Sequence, residues 1–382
     1  MKVNIKKQLK NIALLLLIVI VASCKNDKNM VEKFESFEWD AETGADETAP
    51  MEIIYAEFIM SDGSTGFIPS GDYLNNRWGS SGSGSVSVGD DRKKVPDSLR
   101  IIWFSYAENK FFKGHFQLPQ KKMYDIFKKD YGYDVMPDGT KSKNRCYGYT
   151  LAIAPQGMIT LWMSAEGSIE IGTYYAEETF DIDWSDFSKN PNRNQVVENS
   201  QKRMPLFVQE EIAQNKISNQ YFKNRLQRYH YIIGTNREDF KIIDYNIGFI
   251  NKEVIRKSNS GLEYLTDTIN GKGVPYDMVL FIKGPFYPNL EVRIDVDMPD
   301  SNIAYNDLEI VPLKDFNNQL IAKFKTFFEQ NKDVQLLIKF DDKIVKSNIN
   351  KPVYCGKVCL KSSTQEMVIP NSRVEVYDQE EL

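Results

Sequence analysis

The segment at residues 99–127 constrains the fold more than any other part of the chain, because its pattern is that of a strand, a turn, a second strand and a helix. Residues 99–104 alternate between two largely apolar sets, as in a strand that is covered on both faces. After a turn at residues 108–109, residues 111–118 alternate apolar and polar side chains. Pro119 then fixes φ for a helix start, and apolar residues recur at i, i+3 and i+4. The segment predicts a β-hairpin with a short helix folded back onto it.

The rest of the chain predicts an α+β, β-rich fold of antiparallel sheets with a few short packed helices. Aromatic residues make up 12% of the sequence and are spread through alternating segments, so strands should outnumber helices. More than three hundred residues follow the leader and tether, which is enough for two domains of ordinary size. The predicted divisions are a signal peptide at 1–23, an acidic tether at 24–50, a β-rich domain at 51–237 and a second β-rich domain at 238–382.

The second predicted domain has its own strand and helix signals. Residues 290–296 alternate cleanly between apolar and charged side chains, which is typical of a half-exposed strand. Phe316, Leu320, Phe324 and Phe327 fall at helical spacing and predict one amphipathic helix at 314–330.

The first twenty-four residues predict where the protein resides. Four lysines precede an apolar run at residues 12–21, which is as long as the h-region of a signal peptide and too short to span a bilayer alone. Small residues then lead to Cys24, as in the lipoprotein box of bacterial signal peptides, so Cys24 is the predicted site of acylation by palmitate-like chains. An ordinary secretory peptide with an incidental cysteine is the alternative. The predicted location is the bacterial cell envelope, on the outer membrane, with the periplasmic or surface face left open.

Charge distribution narrows the classes of partner. Removing the four leader lysines takes the formal charge from −5 to −9, which disfavours nucleic acid because its binding needs clustered Lys and Arg. Residues 25–50 carry three lysines against eight acidic residues and few aliphatic ones, which predicts a solvated tether. Lys25, Asn26 and Asp27 resemble the charged signals of some Bacteroidetes surface lipoproteins, although a solvated linker is the favoured explanation.

The sequence offers no convincing catalytic, cofactor or metal motif. Its two histidines, His115 and His230, fit ordinary surface or packed positions, and there is no HExxH. The Gly- and Ser-rich run at 75–89 lacks the spacing of a P-loop or a dinucleotide turn, so a flexible loop is favoured. An acidic group at 177–186 lacks EF-hand spacing, which favours a solvated connection over a calcium site. We therefore predict no catalytic residues, no cofactor and no metal.

Three cysteines remain after Cys24 is taken by lipid. Cys146, Cys355 and Cys359 allow at most one intramolecular disulfide, and an exported protein permits one. A link from Cys146 to either of the others would join the two predicted domains. Packed or free thiols are the equal alternative.

Five aromatic residues are candidates for binding. Aromatic side chains on sheet faces can stack against sugar rings, although packing in the core explains most such residues. The candidates are Trp78, Trp103, Tyr106, Trp162 and Trp184.

Several separated motifs carry a resemblance to a known family. In order, they are RWGSSGSGSVSVG, LRIIWFSYAENKFFKGHFQLP with its following helix, YTLAIAPQGMITLWMS and RYHYI. Together they resemble the lipoprotein-associated domain-of-unknown-function family 2931, over about residues 51–237. The resemblance implies an exported bacterial envelope protein and transfers no activity, ligand or catalytic residue.

Three functions fit these observations. The first is a non-enzymatic envelope lipoprotein that binds a protein or glycan partner as an accessory or immunity-type factor. The second is a carbohydrate-active hydrolase that uses an Asp/Glu pair, because such pairs meet in space and not in sequence. The third is a purely structural lipoprotein. A cleft with two facing carboxylates would favour the hydrolase, and an aromatic patch without them would favour binding. The oligomeric state is left open.

Overall fold

The computed structural model describes residues 35–46, 48–75, 78–79, 90–136, 138–285, 287–296, 310–348 and 351–378. The predicted signal peptide, Cys24 and residues 24–34 of the predicted tether lie outside the described residues. Phe37–Leu382 forms one compact unit. In the parts of the chain that the structure describes, no helix has both the length and the apolar character needed to cross a membrane.

The first part of the fold is built mainly from strands. These are β1 (Ser36–Phe37), β2 (Asp40–Ala45), β3 (Met51–Ile59), β4 (Thr65–Phe67), β5 (Tyr73–Leu74), β6 (Lys93–Lys94), β7 (Ser98–Ser105), β8 (Lys110–Gln117), β9 (Tyr133–Val135), β10 (Lys141–Lys143), β11 (Cys146–Ala154), β12 (Met158–Ala165), β13 (Ser168–Tyr175) and β14 (Glu177–Thr179). Its helices are α1 (Gln120–Lys128), α2 (Trp184–Phe187), α3 (Arg193–Gln201), α4 (Leu206–Ala213) and α5 (Gln220–Arg225).

The second part alternates strands with fewer helices. Its strands are β15 (Tyr231–Thr235), β16 (Lys241–Phe249), β17 (Val254–Arg256), β18 (Pro275–Gly284), β19 (Tyr287–Asp295), β20 (Val334–Phe340), β21 (Gly356–Lys361), β22 (Glu366–Val368) and β23 (Arg373–Asp378). Its helices are α6 (Lys257–Ser260), a 3₁₀ turn (Leu262–Leu265) and α7 (Ile310–Gln330).

The strand, turn, strand and helix predicted at residues 99–127 are confirmed as β7, β8 and α1. Asn109 has φ +54° at the tight turn, a conformation that Asn tolerates better than most residues. Pro119 precedes the first turn of α1, and Met123 and Phe127 on that helix are buried against the sheets. The predicted pattern of the hairpin and the helix therefore matches the observed packing.

The strands form three larger sheets around two main cores. One sheet has the order β2-β11-β12-β13-β17-β16-β18-β19-β23, a second β14-β8-β7-β3-β4, and a third β15-β20-β21-β22. The N-terminal core lies between the first and second sheets and includes residues from Trp39 to Ile171. The C-terminal core lies between the first and third sheets, is covered by α7, and includes residues from Tyr229 to Val376. The nine-stranded sheet thus contributes to both cores.

Strands β11 and β12 are buried on both faces, which explains their nearly continuous apolar sequence. Leu151 and Leu161 face the N-terminal core. Ala152 and Trp162 face the other way and are covered by Trp78 and by Phe222 of α5.

The predicted amphipathic helix is confirmed and is longer than its pattern indicated, running over Ile310–Gln330. Leu320, Phe324 and Phe327 lie in the C-terminal core. The side chain of Phe316 lies outside the described residues.

The predicted solvated tether at 24–50 is wrong for its C-terminal part, because β2 is an integral strand of the nine-stranded sheet. It pairs in parallel with β11, from Asp40 opposite Gly148 to Ala45 opposite Ile153. Alternate residues Trp39, Ala41, Thr43 and Ala45 are buried. The many acidic residues of this segment conceal a period-2 pattern of buried side chains.

The predicted division between residues 237 and 238 also differs from the structure, since Phe37–Leu382 is one compact unit. Each half has its own apolar core, as expected if the two halves were separate domains. However, β13 and β17 join within one sheet through the pairing of Ser168 with Val254. Ile169 packs against both cores.

The β-rich α+β class is confirmed. Most strand pairs are antiparallel, and two parallel pairs, β2 with β11 and β15 with β20, add to the predicted arrangement.

Candidate functional site

An open pocket lies where the start of β2 meets the start of β11. It has a volume of about 340 Å³ and is lined by Glu38, Trp39, Asp40, Asp91, Arg145 and Tyr147. We call it the Tyr147 pocket. Its residues come from three separate segments, and the parallel register of β2 on β11, with Asp40 opposite Gly148, brings two of them together.

The close approach of these two strands depends on Gly148. A Cβ atom at this position would lie 2.0 Å from the carbonyl oxygen of Asp40, so a side chain cannot be accommodated there. Gly148 also has φ +153°, which L residues rarely adopt. Glycine at 148 thus keeps the 38–40 segment against the 145–147 segment.

Trp39 forms the buried wall of the pocket. It is 3% exposed, and its ring packs edge-on against Phe58 and Tyr149, with centroid distances of 5.7 and 5.0 Å. Its indole N–H donates to the carbonyl oxygen of Lys94 at 3.2 Å. The ammonium of Lys93 lies 4.9 Å from the ring centroid, within cation–π range. These contacts fix the indole firmly in place.

Tyr147 forms the exposed wall. It is 52% exposed, whereas its neighbours Cys146 and Gly148 are buried, because it lies at an irregularity where the register of β11 against β12 shifts between Cys146 and Gly148. Its phenol ring is therefore presented to solvent at the pocket.

The charges of the pocket are largely paired within it. Arg145 forms an ion pair with Glu38. The Lys93 ammonium lies 3.9 Å from an Asp40 carboxylate oxygen. Asp91 is exposed and contributes a third carboxylate. With Lys93 counted, the two cations offset two of the three carboxylates, so one carboxylate is in excess and the pocket offers both hydrogen-bond donors and acceptors.

The structure places four of the five predicted binding residues in the interior. Trp103 and Trp162 are 0% exposed, Trp78 is 1% exposed, and Tyr106 is 6% exposed and donates its hydroxyl proton to Glu52 at 2.7 Å. Trp78 and Trp162 pack edge-on at 4.9 Å, away from Trp103 in the N-terminal core. Their positions give these four residues a packing role.

Trp184, the fifth candidate, is half-buried. The guanidinium of Arg193 lies over its ring at 5.7 Å and also over Phe104 and Phe111, at 5.3 and 5.2 Å. Arg193 is held there by Asn109, whose side-chain oxygen accepts from Nε at 2.8 Å. A cation of the protein itself therefore lies over this aromatic cluster.

Two buried carboxylates do come together elsewhere, at the junction of β13 and β17. Glu170 and Glu253 each accept from Arg228 at 2.9 Å, and Glu253 also accepts from the Glu170 amide at 3.1 Å. Burial raises the pKa of Glu170, although the charge of Arg228 opposes this shift. Lys122 donates to the backbone carbonyl oxygen of Glu170 at 3.0 Å, and burial lowers the pKa of Lys122. Glycosidase carboxylates flank a substrate bond. Here an arginine occupies the space between them, which indicates a structural junction.

The cysteines and potential metal ligands add no site. Cys146, Cys355 and Cys359 are buried free thiols, so of the two alternatives left open by the sequence the structure shows packed, free thiols. Among the residues that the structure describes, no group of three or more His, Cys, Asp or Glu side chains could hold a metal ion.

Sequence reasoning missed the Tyr147 pocket. The alternation of Trp39, Ala41, Thr43 and Ala45 was the available signal for β2. Nothing in the spacing of Tyr147 reveals its neighbours, because a parallel pairing between distant segments creates the pocket.

The fold and the pocket together define a β-rich α+β protein with an open polar site. Within this class, a profile of the family described as Protein of unknown function (DUF2931) matches residues 24–219, which is more than half of the chain. The chain belongs to this family. The match confirms the resemblance seen in the motifs, and it begins and ends earlier than residues 51–237. Searches of curated proteins and of solved structures found no match.

Proposed function

We propose that this protein is an exported lipoprotein of the bacterial cell envelope, anchored through acylated Cys24, that binds a partner and does not catalyse a reaction. The observation that carries the binding role is the Tyr147 pocket. It presents an exposed aromatic ring beside a polar lining in which two of the three carboxylates are ion-paired.

The anchoring part of the proposal is supported by the leader. Lysines, an apolar run and small residues precede Cys24, and the family match begins at that residue. Acyl chains contribute about 0.8 kcal/mol per buried methylene, so two or more chains would hold the protein on a membrane stably.

The anchor is tested by replacing Cys24 with Ala. We expect fatty-acid labelling to disappear and the protein to move from the membrane fraction to the soluble fraction, because the acylated thiol is lost. Cys146→Ala is the matched control, since Cys146 is buried and should not be acylated. Undiminished labelling or membrane association of the Cys24→Ala protein would contradict the proposed anchor.

The binding role is tested with isolated envelopes. The mature chain carrying Cys24→Ala should co-sediment with envelopes from the source cells, and Tyr147→Ala should reduce this while Tyr133→Ala should not. Tyr133 is a suitable control because it is 58% exposed and lies outside the pocket. Release of reducing sugar ends during the incubation would instead favour the hydrolase, and equal sedimentation of all variants would contradict a binding role for the pocket.

A further inference from the structure

We propose that the ligand of the Tyr147 pocket is a neutral oligosaccharide. This inference rests on the binding function proposed above and identifies the chemical class of the partner. Three properties of the pocket support it: its exposed ring, its balance of charge and its mixture of donors and acceptors.

The exposed ring provides the apolar part of the recognition. One face of a pyranose ring carries mainly C–H groups. An aromatic side chain whose backbone is held in a strand and whose ring is exposed to solvent can stack against such a face. Tyr147 is 52% exposed and lies where the register of β11 against β12 shifts, between Cys146 and Gly148. Trp39, which also lines the pocket, is immobilised by its ring contacts and its hydrogen bond to Lys94.

The charges of the pocket disfavour an acidic ligand, which would meet Glu38, Asp40 and Asp91. A basic ligand that paired with Glu38 or Asp40 would have to displace Arg145 or Lys93 from its carboxylate. A neutral ligand leaves both ion pairs in place, and its hydroxyl groups can donate to Asp91.

The mixture of donors and acceptors suits hydroxyl groups in particular. Each sugar hydroxyl donates one hydrogen bond and accepts others, so carboxylate oxygens and guanidinium N–H groups can both be partners. A volume of about 340 Å³ lies at the lower end of the range for small-ligand pockets. A protein partner would need a broad surface with an apolar centre. Four of the six residues that line this pocket are instead Asp, Glu or Arg.

The proposal is tested by titrating the lipidated full-length protein in a detergent that has no sugar headgroup. The probes are maltohexaose, cellohexaose and mannohexaose as neutral oligomers, with oligogalacturonate as the acidic comparison and a chitosan oligomer as the basic one. We expect saturable binding of at least one neutral oligomer by calorimetry. Tyr147→Ala should weaken it about tenfold, and Asp91→Ala about tenfold as well.

Two further variants separate recognition from damage to the fold. Tyr147→Phe keeps the ring and should bind within about twofold of the native protein, because stacking does not need the hydroxyl. Tyr133→Ala, on an exposed tyrosine elsewhere, should have no effect. Far-ultraviolet circular dichroism should be the same for all variants.

Each other outcome overturns the proposal. If none of the neutral oligomers binds, or if Tyr147→Ala and Tyr133→Ala behave alike, the pocket does not recognise neutral sugars. Tyr147-dependent binding of the acidic or basic oligomer alone would show that the ligand class is wrong. If co-sedimentation with envelopes still depends on Tyr147 in those cases, the proposed binding function stands and only the proposed class of ligand is wrong.

Discussion

At the scale of single residues, Cys146 shows how burial controls the chemistry of a thiol. Its thiol is 2% exposed, and burial raises its pKa to about 12. Burial also raises the pKa values of Cys355 and Cys359. Because only the thiolate is nucleophilic, these three thiols should be unreactive in the folded protein.

We therefore expect iodoacetamide to alkylate Cys146 slowly in the native protein and completely in urea. The ordinary pKa of a cysteine thiol is 9.0, whereas that of folded Cys146 is about 12. The preference of the folded state for the neutral thiol therefore contributes fully to the free energy of unfolding below pH 9. This contribution is lost as the pH rises from 9 towards 12. Peptide-level mass spectrometry at pH 7 and pH 9 measures the modification, and the urea sample is the control for accessibility. Rapid alkylation of native Cys146 at pH 7 would contradict the burial.

Residue types alone could not separate binding from packing. Trp103 and Trp162 are of the residue type expected on a glycan-binding surface, yet both are fully buried. Tyr147, the ring that is presented to solvent, looks in sequence like any other strand residue. Aromatic side chains satisfy both roles, and only the three-dimensional environment distinguishes them.

At the scale of elements, β2 is the strand on which the pocket depends. It forms because buried and half-buried side chains alternate along it and because its backbone pairs with β11. Trp39, just before it, fills space between Phe58 and Tyr149. Removing this ring would leave a cavity at the edge of the N-terminal core.

We expect Trp39→Ala to lower the free energy of unfolding by about 3–5 kcal/mol, the usual cost of deleting a large buried aromatic side chain. Urea denaturation followed by circular dichroism measures this change. Tyr133→Ala is the control, because that ring is largely exposed and should cost little. An equally small effect of both substitutions would mean that the segment is a tether after all.

Local pattern predicted some elements well and others poorly. The hairpin β7–β8 with α1, the hairpin β11–β12 and strand β20 follow from alternation and turn residues that lie close together in sequence. Asp341 and Asp342 have the residue types of a tight hairpin turn, but β20 pairs with the later strand β21. Part of the intervening chain instead bonds to the edge of β23, where the Ser347 and Cys355 amides donate to Val376 and Val374. Such long-range pairing leaves no local signal.

At the scale of the whole molecule, the two halves have separate apolar cores and a polar junction. The adjoining strands β13 and β17 share one residue pair, whereas β11 and β12 share eight. Arg228 links Glu170 of one half to Glu253 of the other. Charges at a junction stabilise it only while they remain paired, since an isolated buried carboxylate is costly. The junction should therefore open more readily than either core.

Replacing Arg228 with Met tests this inference, because it removes the shared cation while keeping a side chain of similar length. We expect hydrogen exchange in β13 and β17 to become about tenfold faster, corresponding to roughly 1.4 kcal/mol of local opening. Exchange in both cores should stay unchanged. Arg100→Met is the matched control, since Arg100 pairs with Glu57 at 3.1 Å within a single sheet. Unaltered exchange at β13 and β17, or an equal loss of protection in both cores, would show that Arg228 does not hold the halves together.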